Sequence, residues 1–148
     1  MTQKNPSPHS PAVNSLSGCN KAQVLYQRDA AVERQIQSAI ILKDEQIIAN
    51  ARIRDKQAEE YLQEEAIVYL IKMSKQEENE NLYNALSTVL LERIGHQVKF
   101  YFRSFYQGLK EDAYNEFLAR LFQQILRADV KGDFLQVKFW LAVKGLAV

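Results

Sequence analysis

The stretch 82–107, LYNALSTVLLERIGHQVKFYFRSFYQ, decides the fold. Leu82, Leu86, Val89, Leu90, Ile94, Val98, Tyr101 and Phe105 recur at steps of three and four residues, the spacing that aligns one face of an α-helix. Gln107-Gly108 then suits a helix end, with the glycine supplying a left-handed cap. A second helix is expected at about 111–127, where Tyr114, Phe117, Leu118, Leu121, Phe122, Ile125 and Leu126 form an apolar stripe. Asp112, Asn115, Glu116, Ala119, Arg120 and Gln123 occupy its other side. Glu111 and Asp112 near its start and Arg127 near its end complement the helix dipole. Lys131-Gly132-Asp133 reads as a break with Asp133 as N-cap of a last helix.

Upstream of that stretch the signal thins. KQEENEN (75–81) is polar and reads as a turn. Segment 44–75 has a charge-dense first half with a thin apolar row at Ile47, Ile48 and Ile53. Its second half is better patterned, at Tyr61, Leu62, Ala66, Tyr69, Leu70 and Met73. Mixed charges such as Arg54 and Glu59 would support each other slightly on a helix, so this part reads as a solvated helical surface. Segment 22–42 places Val24, Leu25, Val32, Ile36, Ile40 and Ile41 near helical spacing. Residues 1–20 hold all three prolines and almost nothing to bury, the composition of a disordered tail. With no proline after Pro11, nothing forbids helix downstream. The expectation is an all-α helical bundle with a disordered tail at 1–20, a helical extension at 21–78 and a further helical domain at 79–148.

Composition excludes several functions. A chain of 148 residues with 47% hydrophobic and 25% charged residues is an ordinary globular composition. The net charge of +1 announces neither nucleic acid nor an anionic membrane. One cysteine, Cys19, makes no internal disulfide and fits a reducing cytoplasm. The first residues lack the apolar core of a secretory signal, and no apolar stretch approaches the ~18 residues of a membrane span. Glycine-rich phosphate loops, a nucleophile elbow and HExxH are all missing. His9 lies in the tail. Glu92 and His96 sit four apart on one helix but have no matching second pair, so neither a metal nor another cofactor is expected. The chain reads as a non-enzyme. The run Lys99, Phe100, Tyr101, Phe102, Arg103, Phe105, Tyr106 interleaves basic and aromatic residues, yet Tyr101 and Phe105 already belong to the core stripe. Arg93, Lys99 and Arg103 are expected on a solvated face.

Two stretches add a family resemblance. Glu111 to Arg120, EDAYNEFLAR, carries an acidic pair, two apolar positions, an Asn-Glu pair where Gln-Glu is usual, an apolar stretch and an arginine. Val137 to Ala147, VKFWLAVKGLA, resembles a Phe-x-x-Trp-Leu-x-x-Ile-Ala-Arg-Asn-x-Ala pattern best at Trp140 and Leu141, with Lys144 for the arginine and Gly145 for the asparagine once the pattern's Ile-Ala is skipped. In this order, residues 82–148 resemble the second conserved region of bacterial sigma-70 factors, above all the small extracytoplasmic-function members. The resemblance implies that Asp112, Asn115, Glu116, Arg120 and Gln123 face a coiled coil of the largest subunit of core RNA polymerase. It implies promoter DNA near Lys138, Trp140 and Lys144, with the main promoter-reading elements lying beyond the last residue. The final FLQVKFWLAVKGLAV is apolar nearly all round and expects cover. Truncation of a longer chain is the preferred explanation, and homo-oligomerisation through the last helix of a scaffolding module is the alternative.

Overall fold

The computed structural model describes Val13, Leu16 and residues 26–101, 111–127 and 133–147. Helices dominate, and no strand occurs among the described residues. The helices delimited among the described residues are six, in order: α1 (Ala30–Ala39), α2 (Asp44–Ala51), α3 (Glu64–Gln76), α4 (Glu80–Tyr101), α5 (Glu111–Ile125) and α6 (Phe139–Ala147). The fold is an all-α bundle. The expected tail at 1–20, apart from Val13 and Leu16, lies outside the described residues. So do the helix end at Gln107-Gly108, the side chains of the basic–aromatic run 99–106 and the break at Lys131-Gly132.

The centre of the bundle is the hairpin of α3 and α4. The connection between them is a Schellman ending. Asn79 N–H donates to Ser74 O at 2.9 Å and Glu78 N–H to Lys75 O at 3.2 Å, the two crossed bonds of that motif. Glu78 takes the left-handed position, at φ 57°. Asn79 then starts α4: its Oδ1 accepts Leu82 N–H at 3.2 Å, and its Nδ2 donates to Asp44 Oδ2 at 2.8 Å. One asparagine thus caps α4 and ties it to the first turn of α2. The polar heptapeptide 75–81 reads as a turn, and the turn itself is narrower, at 77–79, with Lys75 and Gln76 ending α3 and Glu80 and Asn81 opening α4.

Helix α3 corrects the sequence reading. Residues 66–71, AIVYLI, are all buried, so this helix has no wet face along those two turns. Segment 44–75 is therefore not a solvated helical surface, and its second half is the middle of the core. Helix α1 packs on α3 through Val32, Ile36 and Ala39, α2 lies on α4, and α5 reaches both α3 and α6. Leu82, Leu86, Leu90 and Ile94 of α4 join one continuous core with Ile36, Ile47, Ile67 and Leu70. The core runs unbroken across residues 78 and 79, where the sequence invited a domain boundary.

Segment 52–63 is not helical, so the helical spacing on which support between Arg54 and Glu59 was expected does not occur. Asp55 Oδ1 accepts Gln57 N–H at 2.9 Å, an Asx turn that competes with helix. Six of the residues from 54 to 60 are exposed, so an apolar face to hold a helix down is missing. A second correction concerns the last helix, which starts at Phe139 rather than after Asp133. Asp133 and Phe134 are themselves helical and pass into a turn at 135–137, with Gln136 N–H donating to Asp133 O at 2.9 Å. Asp133, Leu135 and Gln136 of this stretch are buried.

Candidate functional site

Helix α5 divides cleanly between two jobs. Leu121 and Ile125 are fully buried, with Tyr114, Phe117, Leu118 and Phe122 half-buried against the core. Asn115, Glu116, Arg120 and Gln123 are exposed on the opposite side. Asp112 lies in the first turn, and its side chain is outside the described residues. Arg120 Nη2 donates to Glu116 Oε1 at 2.8 Å, with the two side chains 60% and 64% exposed. A pair that wet and spaced i,i+4 contributes only about 0.3–0.5 kcal/mol. The fold therefore gains little from the Glu116–Arg120 pair. Their arrangement gives α5 a polar flank of balanced charge, suited to orienting a partner by hydrogen bonds and charge complementarity.

The residues the resemblance links to DNA are placed differently from one another. Lys138 and Lys144 are exposed, while Trp140 is half-buried. Its ring stands edge-on to Phe139, with centroids 4.9 Å apart. Its Nε1–H donates to Glu64 Oε1 at 3.2 Å. Trp140 is thus turned toward the start of α3. Neighbouring Glu65 accepts Phe139 N–H at 2.9 Å. Burial raises the Glu65 carboxyl above its ordinary value. The Phe139 amide opposes that shift, and the nearby Glu64 and Asp29 add to it.

Arg93 is the residue the sequence reading misassigned. It is not on a solvated face: its side chain is 15% exposed and serves four acceptors. Nη1 reaches Leu62 O at 2.7 Å, Glu64 Oε2 at 2.9 Å and Tyr61 Oη at 3.2 Å, while Nη2 reaches Ala51 O at 2.8 Å. The guanidinium also lies over the Tyr61 ring, 4.8 Å from its centroid. One arginine thereby ties both ends of segment 52–63 to α4. Burial, followed by the Glu64 charge, pushes the Tyr61 hydroxyl above its ordinary value. A signal did exist: Arg93 falls seven, four and three residues after Leu86, Val89 and Leu90, on the buried side of α4.

A second arginine works in parallel. Arg28 Nε donates to Gln136 Oε1 at 2.9 Å, and Nη1 pairs with Glu33 at 2.6 Å. Its guanidinium sits 4.9 Å from the Tyr69 ring centroid. Tyr26 meets Phe134 at 5.5 Å, and Lys72 Nζ donates to Arg127 O at 2.8 Å. Residues from before α1 and from α3 therefore grip the connection between α5 and α6. Glu92 and His96 both stay exposed on α4. Among the described residues no helix is long and apolar enough to cross a membrane. No protein-family model matches this chain, and no curated protein or solved structure matches it.

Proposed function

We propose that this chain is a sigma-70-like protein of transcription initiation, docking on core RNA polymerase through the polar flank of α5. The observation that carries the reading is the exposure of Asn115, Glu116, Arg120 and Gln123 on a helix whose other side is committed to the core. Their ion pair adds little to stability, so another role accounts for the arrangement better. The two motif stretches supply the partner: a coiled coil of the polymerase largest subunit, recognised by charge and orientation rather than by apolar burial. Promoter DNA would meet the chain at Lys138, Trp140 and Lys144.

The test is co-purification with core polymerase. The chain should be retained by the enzyme, and Glu116→Lys combined with Arg120→Glu should weaken retention by on the order of tenfold or more while helicity stays unchanged. Absence of binding, or binding indifferent to the reversal, refutes the reading. One observation favours a second reading, self-association through α6: Leu141 is 60% exposed there. A concentration-dependent dimer without polymerase binding would select it.

A further inference from the structure

Residues 52–63 form the longest described run without a helix. A loop of that length with no secondary structure of its own is uncommon in a compact domain and is usually functional or disordered. This one is firmly ordered. Arg93 closes its base, with Nη2 on Ala51 O and Nη1 on Leu62 O. Gln35 Oε1 accepts Gln63 N–H at 2.8 Å. Within the loop, Ala58 N–H donates to Asp55 O at 3.0 Å and Tyr61 N–H to Ala58 O at 3.1 Å, two turns in succession. Asp55 Oδ1 fixes the first of them through Gln57 N–H. A loop with its ends drawn together over a packed base is the Ω type, a frequent carrier of binding residues.

What is held so firmly is a wet, charged surface. Ala51, Tyr61 and Leu62 at the base are buried, while Arg52, Arg54, Asp55, Lys56, Gln57, Glu59 and Glu60 are exposed. Fixing exposed residues costs conformational entropy that no burial offsets, and that same order lowers the cost of binding a partner. Charge is sorted along the loop. Arg52, Arg54 and Lys56 precede its tip at Gln57-Ala58, and Glu59 and Glu60 follow it. Among the described residues these five side chains form no ion pair. A basic limb followed by an acidic limb complements its own reverse. In a two-fold interface residue i meets j and j meets i, so an axis through the tip lays each basic limb on the other copy's acidic limb. The chain's net charge of +1 leaves little repulsion between whole molecules. We propose that the 52–63 loop is a self-recognition surface through which two copies of this chain pair, Arg54 and Lys56 of each copy meeting Glu59 and Glu60 of the other. A contact this small and polar belongs with transient interfaces, and salt screens it. It differs from association through α6, which would bury Leu141 and answer little to salt, and it does not rest on polymerase docking.

Sedimentation equilibrium of the full chain tests this. At low salt and concentrations up to about 1 mM a dimer should form, weakening on the order of tenfold when salt rises from about 0.05 M to 0.5 M. Arg54→Glu with Lys56→Glu should give a monomer, and so should Glu59→Lys with Glu60→Lys, because each change leaves both limbs with one sign. Mixing the two variants in equal amounts should restore the dimer, since every limb then meets its opposite. All four positions are exposed, and circular dichroism of each variant should match the parent. Dilution of the native chain, followed by amide NMR, locates the contact without any substitution: signals of residues 54–60 should move while those of α6 stay. A chain that remains monomeric throughout overturns the proposal. So does a dimer indifferent to salt and to both reversals, or one whose dilution shifts fall on α6.

Discussion

Replacing Arg93 by alanine removes four hydrogen bonds and a stacked cation in one step. The loss falls on groups that cannot turn to water easily. Glu64 is 13% exposed in its side chain and would be left as an acid without its base. Breaking a buried pair from one side costs about 3–5 kcal/mol, and each stranded carbonyl adds to the penalty. The pair is partly wet and the effects do not add, so about 3–4 kcal/mol is the expected loss. Against a total stability of roughly 5–15 kcal/mol this is a large fraction. For a chain of this size it lowers the melting temperature by roughly 10 °C. Urea unfolding followed by circular dichroism measures it, with the slope m checked so that a midpoint shift reports stability. Arg93→Lys should recover only part of the loss, because a single ammonium cannot reach acceptors on both sides of the 52–63 segment as the fork does. An Arg93→Ala variant within about 1 kcal/mol of the parent would show that the four contacts are not made in solution.

Glu78 occupies a left-handed position that L side chains dislike, so Glu78→Gly should stabilise the chain by about 0.5–1 kcal/mol in urea titration; a loss would mean the turn has another geometry. Asn79→Ala removes the cap of α4 and its tie to Asp44, and should cost about 1–2 kcal/mol by the same assay. The raised Glu65 carboxyl makes a pH prediction. Its folded value lies above the ordinary 4.5, so its contribution to stability is fully present below that value and is lost as pH rises through the shifted one. Glu65→Gln should therefore melt no lower than the parent at pH 7.5 and flatten this part of the pH profile, and a clearly lower melting point would contradict the shift.

The helices of the C-terminal half were legible because their apolar residues recur without interruption. Leu82, Leu86, Leu90 and Ile94 are buried as the spacing requires, and α5 turns Leu121 and Ile125 inward with Asn115, Glu116, Arg120 and Gln123 outward. The N-terminal half was misjudged for a physical reason. A helix buried on every side, as residues 66–71 are, has no polar stripe to give it a period. Its charged flanks dominated the reading. The 52–63 segment looked helical because its residues are good helix formers, and propensity yields when no apolar face exists to dock. The polar contacts were least legible of all. Glu64 with Trp140, and Arg28 with Gln136, join residues 76 and 108 positions apart, and nothing in local spacing announces such pairs.

The six buried residues of α3 carry a hazard before they carry any stability. AIVYLI is uncharged, rich in β-branched and aromatic side chains and free of proline and glycine, the profile of a segment that zips into cross-β fibrils. On the ribosome it emerges ahead of the whole of α4, whose leucines are its main shelter. Glu64, Glu65 and Lys72 bracket the run as charged gatekeepers in the nascent chain. Neutralising Glu65 and Lys72, which spares the Glu64–Arg93 pair, should leave the native helix in place and still send much of the freshly made protein into inclusion bodies.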